Sequence, residues 1–399
     1  MNTYADVLVF GAGVTGLSTA YALCKKGKKV ILVEKAVMGS GASGACDDMI
    51  LLQSKKPGVL LEMAFKSLEI FRDLEKDLPV DIELENRGGT ILIENDFQLK
   101  AMEEFTASQN KYGLGVEIID KKELRKKQPH VSDHIIASTY CSRDSQVNPM
   151  ALSRGYRLAA LSMGMQFFDR THAVELKQNA SKWTARLSNG VVVEAEAIVN
   201  ATAVYANEVC SLVGIEVPIT PLKGQILVTE QLPRIGETNA WSALYIASKL
   251  KKSELSDASG DPMAKKYGLG FAFSGTRHGS CLIGSTRENA GFDRTTVPEA
   301  LKLLGNQARH FFPVLGNAHI IRTFAGLRPS TPDGMPFFGE VASLPGFYMA
   351  AGHEGDGIAL SPVTGRVMAE MICGEKPAFD LSPLKADRFM GKQGQKNGE

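Results

Sequence analysis

The first thirty-four residues constrain the fold most. Asp6-Val-Leu-Val-Phe10 is an apolar run with strand character that breaks into Gly11-Ala-Gly13-Val14-Thr15-Gly16. Leu17 to Leu23 reads as a helix ended by Gly27, Val30–Val33 as a second strand, and Glu34 stands at that strand's end. Strand, glycine turn, helix, strand and acid together make a dinucleotide-binding unit. Gly11 permits the tight turn, Gly13 lets backbone approach a pyrophosphate, and Gly16 lets helix pack on strand. The helix N-terminus then offers free N–H groups and a positive dipole end to phosphates, and Glu34 can accept hydrogen bonds from ribose hydroxyls.

Charge and length narrow the rest. With 399 residues there is room for two domains and a substantial core. Lys plus Arg number 45 against 44 Asp plus Glu, a net charge of +1. This balance gives no strong pull on nucleic acid or anionic membrane. No apolar run approaches the roughly 20 residues of a membrane span, and a core strand at the start leaves no room for a signal peptide. The six cysteines (24, 46, 141, 210, 281, 373) are scattered without a C-x-x-C pair. That spacing argues against a zinc or iron–sulfur site and fits a reduced, cytoplasmic protein.

Further along, Lys35 to Met49 is a small-residue loop suited to laying backbone N–H groups against a large flat ligand and its phosphates, the alternative being a surface linker. Helices are expected over 58–76, 100–112, 121–127, 150–163, 204–213, 297–312 and 358–373. Strands are expected at 87–93, 165–168, 171–176, 222–229, 280–285 and 346–350. A hairpin with Ser188-Asn189-Gly190 at its turn joins 183–187 to 191–194, and 197–203 is a separate buried strand. Residues 320–336 read as turn-rich. Ser248 to Gly268 reads as a surface loop, with a lid or partner contact as the sharper alternative. Residues 197–213 and 346–373 repeat the junction of strand, small-residue turn and helix, so a cofactor held along its whole length is expected.

Together the stretches Ile219 to Ile226, Ala325-Gly-Leu-Arg-Pro-Ser-Thr-Pro-Asp-Gly-Met-Pro336 and Ala350-Ala-Gly-His-Glu-Gly-Asp-Gly-Ile358 resemble the FAD-dependent D-amino-acid oxidase and glycine oxidase family. They look most like glycine oxidase and the beta subunits of opine oxidases, hydroxyproline or proline dehydrogenases and hydrogen cyanide synthase. The segment Cys46 to Pro57 leans toward that heteromeric branch. The resemblance implies an α/β fold: a Rossmann-like FAD-binding domain with an inserted α+β substrate domain on a mostly antiparallel sheet. The expected partition is 1–50, 145–215 and 320–384 for the FAD domain, 51–144 and 216–319 for the substrate and interface domain, and 385–399 as a flexible tail.

By the same resemblance, FAD contacts Gly11, Gly13, Val14, Thr15 and Gly16 at the turn, and Glu34 and Lys35 at the ribose. It also meets Ala42, Ser43, Asp47, Asp48 and Met49 in the loop, the backbone of Val174, and His353, Glu354, Gly355, Asp356, Gly357, Ile358 and Ala359 beside its ring system. Arg328 matches the arginine that clamps the substrate carboxylate, Arg322 being the weaker candidate. The bland alternative for Arg328 is an ion pair with Asp333 or Glu340. His353 is expected either to add positive charge beside the reduced flavin or to be a loop histidine bonded to backbone. Attachment of the flavin is expected to be non-covalent, with Cys46 close enough to question it. The implied activity is oxidation of an amino or imino acid by hydride transfer from Cα to flavin N5. The chain would work as the flavoprotein subunit beside a larger partner carrying further redox centres, in the cytoplasm or peripheral to the inner membrane through that partner. The rival readings are a hydroxy-acid or glycerol-phosphate dehydrogenase on the same fold and a flavin-bearing scaffold.

Overall fold

The computed structural model describes residues 2–179, 182–249 and 262–389. The first apolar strand, Asn2–Phe10, is the hub of a sheet. It pairs in parallel with Val30–Val33 on one side and Val192–Asn200 on the other. Gln166–Phe168 and Phe347–Ala351 extend the parallel order outward, and Phe337–Glu340 closes one edge antiparallel. Val30–Val33 and the second halves of Asn2–Phe10 and Val192–Asn200 are buried and almost wholly apolar because both faces are covered there. Val7, Val9, Val30 and Leu32 pack beneath the helices Val14–Lys25, Val59–Asp77 and Gly357–Ile372, while Leu8, Phe10, Ile31 and Val33 face the meander of residues 173–200.

A second eight-stranded sheet carries Ile320–Ser330, Thr220–Gln231, Ser280–Gly284, Ala272–Gly275, Asn239–Ser242, Gly89–Ile93, Ala137–Cys141 and Glu117–Asp120 in that order. Every pairing in it is antiparallel except Asn239–Ser242 beside Gly89–Ile93. Its core includes Phe271, Phe273, Phe311 and Phe312, with Phe271 in contact with each of the other three rings and Phe273 with Phe312.

Several elements differ from the sequence reading. Residues 320–330 are an extended strand rather than a string of turns. Their backbone bonds to Thr220–Gln231 from Thr220↔Ser330 through Gly224↔Gly326, so they run in the second sheet and not with 337–384 in the first. The expected strands at 191–194 and 197–203 are one strand, Val192–Asn200, because Asn2–Phe10 pairs with one edge from Val192 to Asn200, while the hairpin partner takes the other edge from Val192 to Ala195. The expected 204–213 helix is broken into a short α segment, Ala206–Cys210, between two 3-10 turns. Helix Val59–Asp77, expected with the substrate domain, buries Leu61, Ala64 and Phe71 in the core of the first sheet. The expected tail is anchored as far as Phe389: Ala386 is buried, and Arg388 pairs with Asp333 at 2.8 Å and bonds the carbonyls of Met335 and Pro336. The expected 248–268 loop is flanked by helices Ala243–Lys249 and Pro262–Lys266, and its middle, 250–261, lies outside the described residues, as does the tail beyond 389. Among the described residues no helix is long and apolar enough to cross a membrane.

Glycines set how closely the first and last helices meet. A Cβ on Gly365 would lie 2.5 Å from the backbone of Ser18. Gly365→Ala should therefore push helix Gly357–Ile372 off helix Val14–Lys25, lowering stability by about 1–3 kcal/mol, as read by urea unfolding of the purified protein.

Candidate functional site

The carboxyl ends of the parallel strands open onto a long groove, as expected for an open α/β sheet. One half, about 1380 Å³, is lined by Gly11, Gly13, Glu34, Lys35, Thr171, Ala173 and Thr202. The other, about 820 Å³, is lined by Val14, Thr15, Cys46, Asp47, Tyr245, Arg328 and residues 350–358 except Asp356. Ala42, Ser43, Ala201 and Ala203 line both halves, so the groove is continuous.

At its first end the turn is built without side chains. Gly11 has φ +101°, and a Cβ on Gly16 would sit 1.9 Å from the Gly11 carbonyl oxygen. Only glycine serves at either place. Gly13 caps helix Val14–Lys25, whose first-turn N–H groups have no partner within the helix. Ser43 reaches across and accepts the Val14 N–H at 3.0 Å, fixing the small-residue loop over the turn. Glu34 accepts from Ala12 and Ala36 N–H, each at 2.8 Å. A carboxylate has about four acceptor positions, so two remain for a ligand's hydroxyls.

At its second end, helix Gly357–Ile372 begins with Gly357 and Ile358 on the groove wall, so its positive dipole end favours negative charge there. Across from it stands Arg328. Its Nη1 donates to the Thr286 carbonyl at 2.9 Å and its Nη2 to Ser285 Oγ. Among the described residues no carboxylate pairs with Arg328. Asp333 is taken by Arg388, and Glu340 accepts the Gly346 N–H. The guanidinium lies over Gly224, where a Cβ would be 2.3 Å from Nη1. Arg322 is exposed and lies over the Phe324 ring, away from the groove.

His353 does not bring positive charge. It is buried, its Nε2 lies 3.2 Å from Thr364 Oγ1, and burial holds its pKa at about 4, so the ring is neutral at pH 7. Glu354, at φ +51°, pairs with Arg287 from the second sheet's side. Asp356 turns away from the groove and pairs with the fully buried Lys55 at 2.7 Å. Asp48, Met49, Gly16 and Ala359 lie behind the wall, and Ala173 rather than Val174 faces the groove. Burial pushes the Asp48 carboxyl up to about 7. Cys46 is on the wall, but burial and the neighbouring Asp47 and Asp48 carboxyls push its thiol well up, which makes it a poor nucleophile.

Sequence reasoning missed the supports of Arg328: Ser285, Thr286 and Gly224. A glycine within an alternating strand signals close approach, so Gly224 carried a usable signal. The buried Lys55 and the Arg287–Glu354 pair carried none, since their partners lie far along the chain.

Comparison with known proteins agrees with this geometry. The family model DAO, FAD dependent oxidoreductase, matches residues 6–371. Glycine oxidase of Geobacillus kaustophilus is 28% identical over 398 residues, covering 98% of both chains. Hydrogen cyanide synthase subunit HcnC of Pseudomonas aeruginosa is 28% identical over 436 residues, covering 98% of this chain and 97% of its own. The crystal structure of the Geobacillus glycine oxidase superposes with a TM-score of 0.86 at 25% identity, over 98% of this chain and 100% of its own. That of L-proline dehydrogenase from P. horikoshii shares the fold, with a TM-score of 0.87 at 23% identity over 99% of each chain.

The cofactor of this family is FAD, and the groove fits it. The glycine cradle, the helix N-terminus and the open acceptors of Glu34 suit a ribose and pyrophosphate at one end, and a wall with apolar Ile226, Leu327 and Ile358 beside polar groups follows at the other.

Two outcomes are expected. With acetate as a small carboxylate perturbing the flavin absorbance, Gly224→Ala should weaken binding roughly tenfold by displacing the Arg328 fork. His353 binds its proton near pH 6.5 when unfolded and near 4 when folded. The folded state thus binds fewer protons between those values, and its stability falls as pH drops through that window. Relative to His353→Asn, wild-type stability should decline by about 3 kcal/mol from pH 7 to pH 4, as followed by denaturant unfolding at stepped pH.

Proposed function

The chain belongs to the DAO family of FAD-dependent oxidoreductases, and from that premise we propose that it oxidises a small amino or imino acid whose carboxylate docks on Arg328. The observation that carries this reading is an arginine at the groove's end, held from behind by Thr286 and Ser285 and paired with no described carboxylate. With two of five N–H donors so engaged, the remaining ones can meet a carboxylate in a charge-assisted fork.

FAD, when bound, supplies the acceptor for the hydride leaving the substrate's Cα. Gly11, Gly13, Thr15, Glu34, Lys35, Ala42 and Ser43 would hold its dinucleotide portion, and Asp47 with His353, Glu354, Gly355, Gly357 and Ile358 would border its ring. The raised thiol of Cys46 favours non-covalent attachment. Arg328 fixes the Cα hydrogen in space, and its charge beside the apolar Ile226, Leu327 and Ile358 lowers the pKa of the substrate amine toward the neutral form the reaction needs. The neutral His353 contributes shape and hydrogen bonding, not charge. Hydride loss from a neutral amine requires no general base, so no acid–base pair is assigned.

Glycine, sarcosine, proline, D-hydroxyproline, other D-amino acids and opines all satisfy this clamp. The likeness to a hydrogen cyanide synthase subunit favours a role as the flavoprotein subunit of a heteromeric enzyme. So do the exposed Ile320 and Ile321 on the edge strand of the second sheet, a surface suited to covering by another chain. Six free cysteines fit a cytoplasmic setting.

Anaerobic absorbance near 450 nm against this panel is the test. Bleaching by one amine class is expected, and Arg328→Ala should lower kcat/KM roughly 10²–10³-fold with flavin content intact. Bleaching by a hydroxy acid or glycerol phosphate with no response to any amine would overturn the amine reading.

A further inference from the structure

Outside the groove, three potential metal ligands converge from distant parts of the chain. Glu94 follows strand Gly89–Ile93, His134 lies in the segment leading to strand Ala137–Cys141, and His310 is in the last turn of helix Pro298–Phe311. One ligand atom from each lies within 4.8 Å of the others. His310 Nε2 is 2.7 Å and His134 Nε2 is 3.3 Å from the same oxygen, Glu94 Oε1, and the two ring centroids are 4.1 Å apart with the planes tilted by 36°. Both imidazoles therefore point the same nitrogen at one carboxylate.

The backbone holds this arrangement independently of the side chains. The Ile136 N–H donates to the Ile93 carbonyl at 3.0 Å, tying the histidine segment to the strand that ends at Glu94. The Ser132 N–H donates to the Phe311 carbonyl at 2.9 Å, tying the same segment to the helix end beside His310. Ser132 Oγ also lies 2.8 Å from His134 Nδ1. A hydroxyl accepting the Nδ1–H leaves the Nε2 lone pair free, the orienting contact typical behind metal-bound histidines. The nearby Lys121 donates to the Asp133 carbonyl at 2.5 Å, and the Asp133 carboxylate pairs with both Lys121 and Arg125, which ties these two cations to one acid.

We propose that Glu94, His134 and His310 bind one divalent metal ion of borderline character, zinc foremost. Two imidazoles and a carboxylate make a three-ligand set with water in the fourth position. The cysteine spacing argued against a zinc site in this chain; the proposed site departs from that expectation because its ligands include no thiolate and lie too far apart in sequence to form a spacing motif. The ion would staple a strand, a loop and a helix of the second layer. Helix Pro298–Phe311, about 20 Å long, separates it from Gln225, which accepts the Val297 N–H beneath Gly224. The site therefore stands apart from the flavin groove and does not rest on the proposed reaction.

The test uses the flavin-loaded enzyme, treated with chelator, dialysed and titrated with zinc chloride. Calorimetry and elemental analysis should give one zinc per chain, and the thermal midpoint should rise on loading. His134→Ala and His310→Ala should each weaken zinc affinity roughly tenfold or more and abolish the thermal gain. Ser132→Ala should weaken it less. Because the histidines are partly exposed, the variants should keep the wild-type flavin spectrum, which checks their folding. Equal zinc affinity in wild type and the His134→Ala/His310→Ala double variant, or no zinc bound by either, would overturn the proposal.

Discussion

The site depends on a contact made without side chains. A Cβ on Gly326 would lie 2.0 Å from the Ala45 carbonyl oxygen, so strand Ile320–Ser330 touches the small-residue loop backbone to backbone. That loop is itself fastened over the glycine turn through Ser43 and Val14. The second sheet is thereby hung directly on the roof of the groove. Two residues beyond Gly326 comes Arg328, and strand alternation puts both on one face. The glycine that permits the approach thus also fixes how far into the groove the guanidinium reaches.

Electrostatics at this end are divided rather than pooled. Arg328 keeps its charge open to the groove because its holders are a carbonyl and a hydroxyl, which orient a cation without neutralising it. Lys55 and Asp356 cancel each other behind the wall, where a lone buried charge would cost several kcal/mol. Arg287 and Glu354 do the same at the junction of loop and second sheet. His353 stays neutral because burial outweighs the attraction of Asp356. What stands open on this wall is the Arg328 cation beside a helix N-terminus, with the Asp47 carboxyl also on the lining. The guanidinium and the helix end together favour a carboxylate at that point of the groove.

The first end of the groove was legible in sequence because its determinants are local. Gly11, Gly13, Gly16 and Glu34 fall within one turn-and-helix unit, and each follows from a backbone requirement that can be stated without tertiary structure. The second end was legible only in part. Arg328 stood out through the stretch around it, but its holders come from residues 285 and 286, and nothing local marks a serine or a carbonyl as an arginine's support. Strand Ile320–Ser330 was hidden because glycine and proline argue for turns. Gly326 is there for the approach to Ala45, and Pro329 falls near the strand's end opposite Pro221. The role of His353 stayed open between a charged and a merely bonded histidine because charge depends on burial, which no short window of sequence reports.

The buried acids show the same dependence from the opposite side. Asp144 accepts from the Leu52 and Gln53 backbone N–H groups and from Gln53 Nε2, the last at 2.6 Å, yet burial still carries it up to about 6. Asp48, with fewer bonds, goes to about 7. These carboxyls hold protons that the unfolded chain gives up near pH 4, so they weaken the fold as pH rises from 4 toward 7, whereas His353 weakens it as pH falls from 6.5 toward 4. The two effects oppose each other over one window, and with two carboxyls against one histidine the acids set the sign of the net slope. Asp144 earns its burial by its position: its carboxyl joins the 52–53 backbone to the segment entering strand Ser145–Gln146. The chain between Lys55, which reaches Asp356, and the loop of Asp47 is thus held from both ends. The second end of the groove is set by buried polar groups whose value is positional, and burial of each carries an energetic cost that changes with pH in its own direction.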